Sequence, residues 1–269
     1  MISRLELHVT HACNLACESC SHYSNHGHKG DLALDMAAEW LAAWGARVTA
    51  EHFVLLGGEP TIHPDLGAFV PLVRRHFPGA RISIITNGFF LARHPALGQI
   101  VADDGNARIE LSVHADDPDY LKHVLPAIGL LHQWQKQLGT PIDIGKSYRH
   151  WHRRYWGEGA AMLPFDDGDA RASWADCAAR DCVQLHEGAI WKCPQIAYLA
   201  QQHAKVGLPD AWAPYLGYVP LAPTASDADL TAFLAREDEA ICSMCPAQRR
   251  IFAPGNPMRG AARKVRAAV

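Results

Sequence analysis

The sequence lacks any apolar run of membrane-spanning length, which argues against a helix crossing a bilayer. It also lacks a secretory-leader pattern, because Glu6 and His8 interrupt the only early apolar run. It carries little excess charge: a formal net charge of -3 gives no electrostatic reason to expect a nucleic-acid partner. Of the 269 residues, 49% are hydrophobic and 20% charged, which predicts a soluble globular chain. That length suits one extended domain, or one domain with a smaller module. Eight cysteines cluster at metal-like spacings, so a reducing, cytoplasmic setting is expected rather than a disulfide framework.

The chemistry begins in the first twenty residues. Leu5, Leu7 and Val9 alternate with Glu6, His8 and Thr10, predicting a strand with one buried side. Cys13, Cys17 and Cys20 follow at C-x3-C-x2-C spacing. Three thiolates on one loop can converge on a soft-metal centre. They cannot complete a four-iron cluster, which needs one ligand per iron, so one iron would stay open to a small molecule. The plainer alternatives are a zinc knuckle or three unrelated core cysteines. His22, His26 and His28 come next and are expected to shape the loop.

A strand at 52–56 runs into Gly57-Gly58-Glu59-Pro60. Glycines at a strand end let backbone approach a ligand, and Glu59 offers an anion to an ammonium group. Helices are expected at 34–44, 66–77, 91–101 and 120–138, and strands at 81–86, 108–113 and 142–144. The first helix would start near Asp35 and bury Met36, Trp40, Leu41 and Trp44. The long one would bury a stripe including Leu121, Val124, Leu125 and Leu131. This alternation predicts an α/β fold with a parallel sheet. Ligands of such folds gather at the carboxyl ends of the strands. The cysteine loop, Gly57–Pro60, Asn87, Ser112 and Lys146 all fall there.

Together, the cysteine loop and the Gly-Gly-Glu-Pro turn resemble the signature of the radical S-adenosylmethionine (radical SAM) superfamily. The resemblance implies a partial (β/α)6 TIM-like barrel over residues 1–160. Cys13, Cys17 and Cys20 would hold a 4Fe–4S cluster, and SAM would chelate its fourth iron. Gly57, Gly58, Glu59 and Pro60 would contact the SAM amino group. Ser112, with Lys146 or Ser147 behind it, best matches the polar positions of the later strands, and Asn87 stands with them. The family's adenine-side GxIxGxxE pattern is met only partially, by Ile142-Asp-Ile-Gly145. One electron from the cluster would cleave SAM to methionine and a 5'-deoxyadenosyl radical, so an electron donor such as flavodoxin or ferredoxin is implied.

The segment 146–156 packs three arginines, one lysine, two histidines and four aromatics into eleven positions. It suits a pocket wall facing a polar substrate, or a surface helix with arginines around aromatic anchors. Five cysteines gather after residue 175. Gly188 lies between Cys177 and Cys193 and predicts a hairpin returning through 189–192. A proline-rich linker at 209–223 and a helix at 227–239 precede the tight turn of Cys242 and Cys245. This order resembles the Twitch module, the short form of the SPASM extension, here placed at 161–250. By that resemblance Cys177, Cys193, Cys242 and Cys245 would bind a second 4Fe–4S cluster, with Cys182 spare. Four cysteines at these spacings also suit zinc. No cysteine follows Cys245, so a third cluster is not expected. A basic stretch, 251–269, closes the chain.

The expected activity is hydrogen abstraction from a small carbohydrate-, cyclitol- or nucleoside-like substrate, with oxidation through the second cluster. Tyr148, Arg149 or a nearby histidine would act as base. The alternatives are peptide modification, with Cys182 as hydrogen donor, and a non-catalytic zinc-binding protein. No room is seen before Cys13 for a peptide-recognition domain.

Overall fold

The computed structural model describes residues 1–258. The basic residues Arg259, Arg263, Lys264 and Arg266 lie outside them. Seven strands form one sheet in the order β5-β4-β3-β2-β1-β6-β7. They are β1 (Ile2–Thr10), β2 (Ala50–Gly57), β3 (Arg81–Thr86), β4 (Ala107–Val113), β5 (Ile142–Lys146), β6 (Val183–His186) and β7 (Ala189–Trp191). The first five are parallel neighbours in chain order. The helices between them are α1 (Leu34–Gly45), α2 (Leu66–His76), α3 (Leu97–Asp104) and α4 (Pro118–Leu138). The sixth parallel strand, β6, does not extend the row at β5. It pairs with β1 instead, through Leu5 opposite Val183 and Leu7 opposite Leu185. The sheet is therefore open, with β5 and β7 at its edges, and it continues across residue 160.

That placement corrects the expected exposure of β1. Leu5, Leu7 and Val9 are fully buried in the main core. Glu6, His8 and Thr10 on the opposite face are also buried, at 2%, 4% and 1% exposure. A strand paired on both edges and covered on both faces has no wet side, so alternation here separates a greasy interior from a polar one.

Several boundaries differ for local reasons. In α1 the buried residues are Ala37, Leu41 and Trp44, while Met36 is exposed. Ala33, not Asp35, holds the N-cap position, and Asp35 accepts from the Met36 amide. The helix expected at 91–101 splits into a 3-10 turn, Leu91–Arg93, and α3, across Pro95. In α4 the buried face is Tyr120, Val124, Ala127, Leu131 and Trp134, and Leu125 is exposed. The hairpin forms as expected: Glu187 and Gly188 both take positive φ, joining β6 to β7 through a two-residue turn. The stretch 209–223 is no open linker. It contains the turns Asp210–Trp212 and Ala213–Leu216, and Trp212 is fully buried in a second core with Tyr23, Tyr155 and Met162. The last helix stops at Leu234 after a Ser226–Asp229 capping box. Among the described residues no helix is long and apolar enough to cross a membrane.

Candidate active site

The polar face of β1 and the carboxyl ends of β2, β3 and β4 enclose a cavity of about 270 Å³. Cys13, Cys17 and Cys20 border it, together with Gly57, Gly58, Glu59, Asn87 and Ser112. The cysteine loop is held from several directions. Ser19, between the second and third cysteines, takes a left-handed φ of 58° and is buried. Its hydroxyl accepts from the Arg154 amide at 2.6 Å. The Trp151 indole donates to the Glu18 carbonyl at 2.6 Å, and Arg153 pairs with the Glu18 carboxylate at 2.7 Å. From the far end of the chain, the Pro257 carbonyl accepts from the Ala16 amide at 2.9 Å.

The glycine turn serves this loop directly. The Gly58 amide donates to Thr10 and the Glu59 amide to Ala12, both at 2.8 Å. A Cβ on Gly57 would collide with the Thr10 carbonyl, and one on Gly58 with the Ala12 carbonyl. The close approach that requires glycine is thus between two backbone segments beside the cavity.

Glu59 is 1% exposed. One carboxylate oxygen accepts from the Thr61 amide at 3.0 Å and from the Thr61 and Thr86 hydroxyls. The other accepts from the Asn87 amide at 2.7 Å. Burial pushes its pKa above the ordinary carboxylate value, and these donors pull it part of the way back. Asn87 also donates to the Asn14 side chain at 2.8 Å, tying β3 to the cysteine loop. Ser112 bonds to the Ser147 hydroxyl. Pro60 is buried at the first position of the turn that Glu59 caps. Lys146 is exposed and absent from the cavity wall.

A second, smaller cavity is bordered by Cys177, Cys193, Cys242 and Cys245. Cys182 is not in it; it borders the large cavity instead. Burial raises the Cys193 thiol to about 12 and also raises Cys242 and Cys245. Buried free thiols stay protonated, and only a bound soft cation would turn them into thiolates. Among the described residues no three His, Cys, Asp or Glu side chains stand in a ready metal-binding group. The donor sets nevertheless suit iron–sulfur ligation in kind: the three loop thiols, with Cys182 also on the wall, around the large cavity, and four thiols around the smaller one.

Residues 7–134 match the model of the radical SAM superfamily. The matched stretch is a little under half of the chain. Among curated relatives, a GTP 3',8-cyclase of Campylobacter fetus is 27% identical over 124 residues, 44% of this chain and 36% of that protein. An S-adenosylmethionine-dependent nucleotide dehydratase of Selenomonas ruminantium is 32% identical over 88 residues, 33% of this chain and 31% of that one. The match thus spans about a third of the length of these relatives. The solved structure of BtrN in complex with AdoMet and 2-DOIA shares the fold over 91% of this chain and 93% of its own, with a TM-score of 0.51 and 18% identity.

The large cavity has a wall that the sequence patterns did not mark. Arg4, Glu6, Asn25, His114, Trp151 and Arg154 all line it, whereas Tyr148 and Arg149 do not. Tyr148 packs on the main core, and Arg149 is exposed. Glu6 accepts from Arg4 at 2.5 Å and from Gln184 at 2.6 Å. Burial and the Glu6 charge push the Cys182 thiol up, holding it protonated. The His114 ring lies 3.6 Å from the Cys17 sulfur, and burial lowers it to about 4, so it is neutral. Two signals were readable. Glu6 shares a strand face with His8, and His114 sits two residues beyond Ser112, just past the carboxyl end of β4.

Proposed function

We propose that the protein is a radical SAM oxidoreductase acting on a small polar, carbohydrate-, cyclitol- or nucleoside-like substrate. The observation that carries this is the single cavity shared by Cys13, Cys17, Cys20, the Glu59 turn and an inner wall of charged and amide side chains. In this reading residues 1–160 are the catalytic part and 161–250 a Twitch-like module. Cys13, Cys17 and Cys20 would hold one 4Fe–4S cluster. Cys177, Cys193, Cys242 and Cys245 would hold a second, and their common cavity favours Cys177 over Cys182. Held there, the first cluster with SAM would supply radical chemistry for hydrogen-atom removal, and the second would supply a one-electron acceptor.

The chain's own residues bind and orient. Glu59, fixed by Thr61, Thr86 and Asn87, presents a rigid acceptor edge beside the triad. Asn87 and Ser112 add polar contacts on the same side. Glu6 and the neutral His22 ring offer acceptors for the proton that an oxidised substrate must lose. The substrate range draws support from the BtrN likeness in fold and from the nucleotide-acting relatives. Flavodoxin or ferredoxin is the proposed electron donor.

One observation favours a second outcome. The protonated Cys182 thiol faces the substrate cavity. It can return a hydrogen atom to a substrate radical, as in peptide epimerisation; its sulfur then needs one electron and one proton, from a reduced second cluster and solvent. Iron and sulfide counts after anaerobic reconstitution test the cofactors, with about eight irons expected for two clusters. Bound zinc without sulfide would overturn both outcomes. Formation of 5'-deoxyadenosine, with deuterium transfer from labelled candidate substrates, tests the reaction.

A further inference from the structure

The large cavity and the four-cysteine cavity are separated by a thin wall. Arg154, Ala179 and Pro194 border both. Of these only Arg154 carries charge. Its guanidinium forms no ion pair among the described residues, whereas neighbouring Arg153 pairs with Glu18. The carboxylates of the large cavity are already engaged: Glu6 by Arg4 and Gln184, Glu59 by its turn. One positive charge is therefore left over at the partition.

The backbone at this position is anchored to both cysteine sites. The Arg154 amide donates to Ser19 in the triad loop at 2.6 Å. The Arg154 carbonyl accepts from Gln195 at 3.2 Å, and the other end of that buried amide meets the Cys245 sulfur at 3.3 Å. A residue fixed at both ends cannot follow one site without the other. A fixed positive charge stabilises whichever redox state of a nearby group is the more negative.

We propose that Arg154 is a positioning residue shared by the two sites: its unpaired guanidinium raises the reduction potential of a cluster held by Cys177, Cys193, Cys242 and Cys245, and an oxyanion entering the large cavity takes up that charge and lowers it. The proposal rests on the two-cluster reading above. It makes the second site responsive to what occupies the first, so the readiness to accept one electron depends on occupancy of the substrate cavity.

The test uses the full chain with Cys13, Cys17 and Cys20 replaced by serine, so that only the second cluster loads. The midpoint of its one-electron reduction is read by electron paramagnetic resonance during a redox titration. Arg154→Gln is expected to weaken reduction about tenfold, about 59 mV for a one-electron couple. Arg154→Lys is expected to recover most of that, which a purely packing or hydrogen-bonding role would not produce. Inorganic phosphate, against sodium chloride at equal ionic strength, is expected to lower the midpoint with Arg154 present and not in Arg154→Gln. Equal midpoints for Arg154 and Arg154→Gln at equal iron content overturn the proposal, as does an equal phosphate shift in both. A chain that takes up no second cluster overturns the two-cluster reading itself, and iron analysis separates that failure from the others.

Discussion

Acid should unfold the cluster-free protein through its imidazoles. His11, His22, His114 and His186 are each lowered from 6.5 to about 4, with burial the leading cause. A base whose folded-state value is depressed binds its proton more readily when unfolded. Stability is then full above about 6.5, falls as pH drops through the window to about 4, and levels below it. Between pH 7 and 5.5 each such imidazole costs about 1 kcal/mol, from the change in unfolded-state protonation. The four together total at most about 5 kcal/mol, because His11, His22 and His186 also act on one another; that is comparable to the whole stability of a marginal domain. Glu59, raised by burial, works in the opposite direction at the acid end of the window and trims the total. The assay is urea unfolding of apo-protein followed by tryptophan fluorescence at the two pH values. A stability that changes by less than about 1 kcal/mol would refute the reasoning, since it would mean that these rings are hydrated and titrate normally.

Other outcomes follow from particular contacts. Gly58→Ala drives a Cβ into the Ala12 carbonyl; it should cost about 1–3 kcal/mol in urea unfolding and weaken SAM binding measured by calorimetry. Glu59→Gln places an amide among four donors, and should lose about 2 kcal/mol in the same unfolding assay. Cys177→Ala should roughly halve the iron content after reconstitution, whereas Cys182→Ala should leave it unchanged. Glu6→Gln removes the charge facing Arg4 and Cys182, and should lower the Cys182 thiol value, read as faster alkylation by iodoacetamide at pH 9.

Much of the site was legible because its signals are local. A strand, a three-cysteine loop and a glycine turn at the next strand end are all readable from short windows, and the fold brings them to one cavity. Alternation gave the five strands β1–β5 and their parallel order. What stayed hidden depends on pairing across long separations. Nothing near Val183 announces that its strand joins β1 rather than β5. Without that pairing the polar face of β1 reads as solvent-facing, and Arg4 and Glu6 read as surface charges. The segment 146–156 was recognised as unusual, but its extended path past the cysteine loop selects Trp151 and Arg154 for the cavity and leaves Tyr148 and Arg149 outside. Phase along an irregular segment has no period to read. The preference for Cys177 over Cys182 came from spacing to Gly188, and Cys177, not Cys182, borders the cavity of Cys193, Cys242 and Cys245.

The ties on the cysteine loop also set an order of assembly. Residues 13–20 leave the ribosome well before their partners, which are Trp151, Arg153 and Arg154, and then Pro257. The left-handed backbone at Ser19 is stabilised by an amide 135 residues downstream. The open edge of β1 waits until β6 has been made. A nascent chain therefore carries its first three cysteines on an unfinished loop for most of its synthesis, and the loop takes its final shape only when the last described residues close over it. If the triad holds the proposed cluster, its loading would follow completion of the chain, and a truncation before residue 257 should lower the iron retained after reconstitution while leaving all eight cysteines in place.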